Sequence, residues 1–168
     1  IYNSQPLRPN VLIAAFMRAV ERVRQNTAGG SIEMGGLSLA GASLIEALNW
    51  ASAIHDFLRS PPRHPHGDSV VRYGWVRELT DAERALLDAF RCARNASHHQ
   101  WWTLVAFDVP ADAADRQAAW IWGPLPDDRS GGGTDGERRA AYARLLLNRS
   151  ILDTLDALVR LYWPHRRW

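Results

Sequence analysis

The sequence predicts an all-α fold, a bundle of four to five helices with a short extended or irregular segment near residues 117–126. Apolar residues recur at helical spacing through several long stretches, and clusters of Gly and Pro separate those stretches. The chain has 168 residues, which suits one domain, and no internal repeat is visible. We therefore expect a single helical domain over residues 1–168.

Two apolar stretches predict the first two helices. After Pro9, residues 11–25 place one stripe on a helix, formed by Val11, Leu12, Ala15, Phe16, Ala19, Val20 and Val23. A glycine-rich connection follows, and a second helix from about Leu37 to Leu58 is apolar over most of its circumference. Paired prolines end it. Residues 69–79 fit a strand, an irregular cover or an extension of the next helix.

The third helix has the clearest start signal. Thr80 followed by Glu83 is typical of a capping box, which predicts a helix that begins there and runs to about Val105. Its core-facing residues share helical spacing: Leu86, Phe90, Ala93, Ser97, Trp101 and Leu104.

The rest of the chain mixes an extended piece with more helix. Residues 118–126 predict a short extended segment closed by prolines, in which Trp120 and Trp122 alternate around Ile121. Residues 127–137 are Gly-rich and predict a flexible loop. The pattern after them is helical, but a second capping signal at Ser150 leaves open one bent helix or two.

Composition excludes several classes of protein. The net charge is +2. Apart from histidine, all 20 basic residues are Arg, and this preference reflects either codon bias or a use of Arg in phosphate recognition.

The lone Cys92 favours neither zinc nor a disulfide, and we expect no metal at the His64–His66 pair and no cofactor. No apolar run is long enough for a bilayer and no signal-peptide pattern is present, so we expect a cytoplasmic protein.

Ionisable residues concentrate on one flank of the third helix. At about 100° per residue, and measured from Leu86, Arg94 falls near 80°, His98 near 120°, Arg91 near 140°, Asn95 near 180° and His99 near 220°. Arg94 and His98 are one turn apart and close enough to act on a common ligand. His99 needs helix distortion, the reach of the arginine or a second copy of the chain to meet Arg94.

This set of residues fits one kind of chemistry. A histidine can accept a proton from a ribose 2′-hydroxyl or return one to the leaving oxygen, and an arginine can hold the phosphate and neutralise its charge. An asparagine can orient either partner. The combination needs no metal and would convert RNA to a 2′,3′-cyclic phosphate. Arg and His on a helix flank also commonly serve in salt links or caps.

The residues Arg-Asn-Ala-Ser-His-His at 94–99 match the RNxxxH form of the Rx4-6H signature, and in this the chain resembles the HEPN superfamily. That resemblance implies an all-helical, commonly dimeric domain with its signature on the third main helix. It implies a metal-independent endoribonuclease in which Arg94 and His99 are catalytic and pair across a homodimer interface, with Asn95 as the polar residue after the arginine. It also implies a polar residue on the second helix facing the site, here Glu46 or Asp56.

Several alternatives stay open at the level of sequence. Arg91 and His98 fit the looser Rx6H spacing, so His98 and His99 both remain candidates for the acting imidazole. We expect Arg91 and the exposed-side Trp102 to contact substrate. The RNase hypothesis includes a toxin or RNA-processing role in defence, with RNA as substrate and an antitoxin or other partner protein. The alternative is a non-catalytic helical adaptor, or a dimer that binds RNA or a nucleotide.

Overall fold

The computed structural model describes residues 9–28, 34–59, 79–108, 119–126 and 134–164. These ranges contain five α-helices and two strands, in the order α1 (Pro9–Thr27), α2 (Met34–Arg59), α3 (Asp81–Gln100), β1 (Val105–Asp108), β2 (Ala119–Trp122), α4 (Thr134–Leu145) and α5 (Ile151–Tyr162). The mostly helical structure confirms the predicted class. Within the described ranges, no helix combines the length and the apolar character needed to cross a bilayer.

One buried cluster takes side chains from all five helices and from β2. The stripe predicted for α1 forms part of it, with one exception. Val11 is exposed, and Ile13 is buried in its place. The apolar run at the start of α1 contains more large residues than one face can hold, so the rotation of the helix decides which of them enters the core.

The capping box predicted for α3 is confirmed, but the predicted end of the helix is wrong. The Thr80 hydroxyl accepts from the backbone N–H of Glu83, and the Glu83 carboxylate accepts from the N–H of Thr80 at 2.7 Å. The helix ends at Gln100 and a 3-10 turn spans Trp101–Thr103. The strand β1 then begins at Val105, because its backbone hydrogen-bonds to β2 rather than to the preceding turn.

The two strands form an antiparallel hairpin whose register pairs Val105 with Trp122 and Asp108 with Ala119. The strand β2 confirms the extended segment expected near residues 117–126, and Trp120 and Trp122 are both buried as the alternation predicts. Of the predicted loop at 127–137, residues 127–133 lie outside the described ranges, while the remainder already belongs to α4.

Trp122 lies where β2, α3, α4 and α5 meet. Its indole Nε1 donates to the Thr154 hydroxyl at 2.7 Å. Its ring makes edge-to-face contacts with Phe90, at 5.9 Å between centroids, and with Tyr142, at 6.2 Å. Each such contact adds about 0.5–1.5 kcal/mol to the burial of the rings. The hairpin is therefore bound to three helices through one side chain.

The last third of the chain forms two helices, which answers the question that the sequence left open. Asn148 has a φ of 59° between them, a left-handed conformation that ends the helical path. Its N–H donates to the Trp122 carbonyl at 2.9 Å. Ser150 then caps α5 by accepting from the N–H of Asp153 at 3.2 Å. The interruption thus serves to bond the α4–α5 connection to β2.

The C-terminal end of α3 is held against α2 at a glycine. A Cβ atom placed on Gly41 would overlap the ring of Trp101, so the absence of a side chain is what allows the indole to lie on the α2 backbone. This contact positions Trp101 and the residues just before it, which include the histidines.

We expect Gly41→Ala to lower the free energy of unfolding by about 1–3 kcal/mol, because the new methyl group overpacks against the Trp101 ring. The matched change Gly136→Ala, at a helical glycine with open space around it, should instead raise stability by up to about 1 kcal/mol through helix propensity. Chemical denaturation followed by circular dichroism measures both. Equal stability of Gly41→Ala and wild type would refute the close contact.

Candidate functional site

The ionisable residues of α3 lie on one unbroken helix. We call Arg91, Arg94, Asn95 and His98 the polar flank. The backbone is α-helical from Asp81 to Gln100, so the angular positions of an ideal helix apply to the whole motif. The opposite side of α3 is buried, through residues that include Phe90, Ala93 and Ser97. Within the polar flank, Asn95 and His98 are exposed, whereas Arg91 and Arg94 are half-buried.

Arg94 is half-buried and only partly satisfied. Its Nη1 donates to the Asn95 side-chain oxygen at 3.3 Å. Its Nε is buried and has no hydrogen-bond partner among the described residues. A buried donor without an acceptor costs about 1–3 kcal/mol. The Ser97 hydroxyl donates to the Arg94 carbonyl at 2.7 Å, which ties the backbone of this turn to the core side.

His98 and Asn95 are exposed on the same flank. None of the ion pairs between described residues includes Arg91, Arg94 or His98. The carboxylates found in those pairs bind arginines elsewhere, on α1 and α4. Among the described residues, the cationic groups of the polar flank are thus not neutralised by an internal carboxylate.

His99 belongs to α3 by its backbone, and its side chain lies outside what the structure describes. On an ideal helix its Cα direction is about 140° around the axis from that of Arg94. The helix is regular through both residues, so helix distortion does not bring them together within one chain. Pairing of Arg94 with His99 stays a prediction, and it requires the reach of the arginine or a second copy of the chain.

Arg91 contacts a histidine that the sequence did not single out. Its Nη1 lies 3.5 Å from Nε2 of His55 on α2, and His55 is only 7% exposed. A guanidinium has only donors, so Nε2 of His55 is the acceptor in this contact. Arg91 is therefore oriented by α2.

A groove of about 280 Å³ opens beside this contact. We call it the α2–α3–α4 groove, since its lining comes from those helices and from Leu79 before α3. Its polar lining residues are His55, Arg84, Asp88, Arg91 and Arg138.

Sequence reasoning missed four of these residues, including Asp88. Arg84 was detectable, because it lies two turns before Arg91 on the same side of α3. His55 was detectable as a titratable residue at helical spacing with the buried Leu48 and Ala51. Arg138 had no such signal, since only the tertiary packing of α4 brings it to α3.

Trp101 and Trp102, which follow the histidines, differ in solvent exposure as the sequence predicts. Trp101 is half-buried against Gly41, which agrees with a packing role. Trp102 is 61% exposed, and its ring meets that of Trp101 edge-on at 6.4 Å. Its side chain, two residues beyond the end of α3, is therefore accessible to a ligand.

Glu46 faces α1. Its carboxylate accepts from Nε of Arg22 at 3.2 Å and from Nε1 of Trp50 at 3.3 Å. The bond from Arg22, followed by that from Trp50, holds the pKa of Glu46 below its ordinary value, against the opposing effect of burial. Asp56 is exposed. The structure therefore gives Glu46 a role between α1 and α2 rather than at the polar flank.

Metal ligands do not cluster in the described ranges. No group of three or more His, Cys, Asp or Glu side chains there could hold an ion, and Cys92 is buried. The His64–His66 pair lies outside the described residues.

No protein-family model, curated protein or solved structure matches this chain. Similarity to other proteins therefore adds nothing to the geometry, and any functional argument depends on the residues themselves.

Proposed function

We propose that this chain is a metal-independent endoribonuclease of the HEPN type, which acts in the cytoplasm as a homodimer and cleaves RNA to a 2′,3′-cyclic phosphate. The state of Arg94 carries the proposal. Its guanidinium lies on the motif helix without an ion-pair partner among the described residues, and its buried Nε lacks an acceptor. A phosphate would supply the anionic partner that this half-buried guanidinium lacks among those residues.

The residues of the polar flank have distinct roles in this reaction. An imidazole of His98 or His99 removes the proton of a ribose 2′-hydroxyl, and the 2′-oxygen attacks the adjacent phosphorus. The bond from phosphorus to the 5′-oxygen breaks, and that oxygen takes a proton from a protonated imidazole. Arg94 neutralises the charge that develops on the phosphate, and Asn95 orients the guanidinium through its side-chain oxygen.

The homodimer in this proposal serves to bring Arg94 and His99 together. Arg94 and His99 point about 140° apart on a regular helix, whereas a twofold axis beside α3 would bring Arg94 of one subunit toward His99 of the other. His98 shares the flank of Arg94 and needs no second subunit. The choice of histidine and the need for a dimer are therefore one question.

Part of the proposal depends on the family resemblance alone. A toxin or RNA-processing role in defence, and a partner protein such as an antitoxin, belong to this part.

We expect Arg94→Ala to lower the rate of cleavage of a mixed RNA in EDTA by about 100- to 10,000-fold, the usual contribution of one such catalytic group. Loss of the acting histidine should have a similar effect, so comparing His98→Ala with His99→Ala identifies it. Product analysis should show 2′,3′-cyclic phosphate ends.

The matched control is Arg18→Ala, which removes an exposed arginine from α1 and should cleave at the wild-type rate. All variants are first checked for wild-type thermal unfolding. An active wild type whose activity survives in Arg94→Ala would contradict the assignment. No cleavage by wild type under varied conditions would favour the adaptor.

We expect Trp102→Ala to weaken binding of a single-stranded RNA by about 1–3 kcal/mol through loss of base stacking. Stability should change by less than about 0.5 kcal/mol, since the side chain is mostly exposed. Fluorescence anisotropy with a labelled oligonucleotide measures the affinity. Trp163→Ala, at another exposed tryptophan, is the control, and an equal loss there would remove Trp102 from the site.

A further inference from the structure

The α2–α3–α4 groove has more positive than negative charge. Three arginines line it, and the only carboxylate among its described lining residues is Asp88. Nε of Arg138 lies 3.8 Å from Asp88 Oδ1, which is long for an ion pair. The two side chains are partly exposed, so their interaction is weak. Even with the imidazole neutral, the groove has an excess of positive charge.

The arginines of the groove are held in place by the protein. Nε and Nη2 of Arg84 both donate to the Leu79 carbonyl, at 3.1 and 2.8 Å. Arg91 is held by its contact with the buried His55. A ligand that binds such oriented groups loses less side-chain entropy than one that must order them. Leu79 and Leu87 form an apolar wall on which the cations lie.

We propose that the α2–α3–α4 groove is a second anion site, which binds a phosphate group through Arg91 and Arg138. Guanidinium groups bind phosphate oxygens through paired N–H donors. The volume of about 280 Å³ is close to the lower end of the range for small-molecule sites, about 300–1,000 Å³. The site shares Arg91 with the polar flank, but binding of phosphate there does not require RNA cleavage at Arg94 and the histidines, which lie further along α3.

A phosphate group reaches the groove either as a phosphodiester of an RNA strand that follows α3 or as a free phosphomonoester. Arg84, Arg91 and His98 lie at successive intervals of seven residues on one side of α3, about 10 Å apart along the axis. A strand bound at the polar flank could extend along this line to the groove. A free nucleotide would occupy the groove alone.

Calorimetric titration of the full chain with three probes tests the site. The probes are inorganic phosphate, adenosine 5′-monophosphate and a 2′-O-methyl oligonucleotide without terminal phosphates. The 2′-O-methyl strand lacks the attacking hydroxyl, so binding is measured without cleavage, and failure of the proposed ribonuclease function leaves this result intact.

Three variants are expected to change the affinity for the probes in different directions. Arg138→Gln should weaken binding by roughly tenfold, as expected for loss of a charged hydrogen bond. Asp88→Asn removes the carboxylate that competes for Arg138 and should tighten binding severalfold. Arg18→Gln makes the same charge change as Arg138→Gln on α1, outside the groove, and should leave binding unchanged. Asp88→Asn keeps the test decisive if Arg138→Gln does not fold.

The site is supported, with an RNA strand as its ligand, if the oligonucleotide binds more weakly to Arg138→Gln, more tightly to Asp88→Asn and equally to Arg18→Gln. If only phosphate or the mononucleotide gives these three results, the site is supported for a free phosphomonoester. The proposal is overturned if no probe binds, if Asp88→Asn fails to tighten binding, or if Arg18→Gln weakens it as much as Arg138→Gln.

Discussion

The edge-to-face contact between Phe90 and Trp122 sets the rotation of α3 about its own axis. Both rings are buried, and Trp122 is fixed in turn by Thr154 and Tyr142. A helix held in this way has no freedom to turn its charged side inward. The position of the polar flank, with His98 exposed and Arg91 and Arg94 half-buried, is therefore a consequence of how α3 packs.

The same packing explains why the flank is only partly satisfied. The helices α2 and α4 lie on either side of α3 and supply few acceptors to it. His55 orients Arg91, and Asp88 lies at a long distance from Arg138. Glu46 of α2 and Asp156 of α5 pair instead with Arg22 and Arg24 of α1. A row of arginines without nearby carboxylates costs stability through repulsion, and an anionic ligand would relieve that cost.

Much of the fold was predictable because its signals are local. Helical spacing, the Thr80 capping box and the Ser150 cap each operate over a few residues. The strand β1 was missed because Val105 continues the apolar pattern of α3, and only pairing with β2 shows that the backbone has left the helix. The exchange of Val11 for Ile13 in the core likewise depends on tertiary packing.

The candidate site also contains residues that local spacing predicts and residues that only tertiary packing brings together. The polar flank was visible from spacing on a single helix, whereas the groove brings together His55, Asp88 and Arg138 from three helices. For Glu46, the family resemblance suggested a position on α2 that faces the site. Its carboxylate instead bonds Arg22, which places it against α1.

The central proposal is that Arg94 and a histidine of α3 act on one phosphate. If His99 is that histidine, it comes from the twin subunit, and mixing two inactive variants tests this most directly. Arg94→Ala and His99→Ala homodimers are unfolded together and refolded, so that mixed dimers form. Each mixed dimer then contains one intact pair, and the account predicts recovery of about a quarter of the wild-type rate for a twofold dimer. Two inactive parents whose mixture stays inactive, although mixed dimers are detected by mass spectrometry, would contradict it.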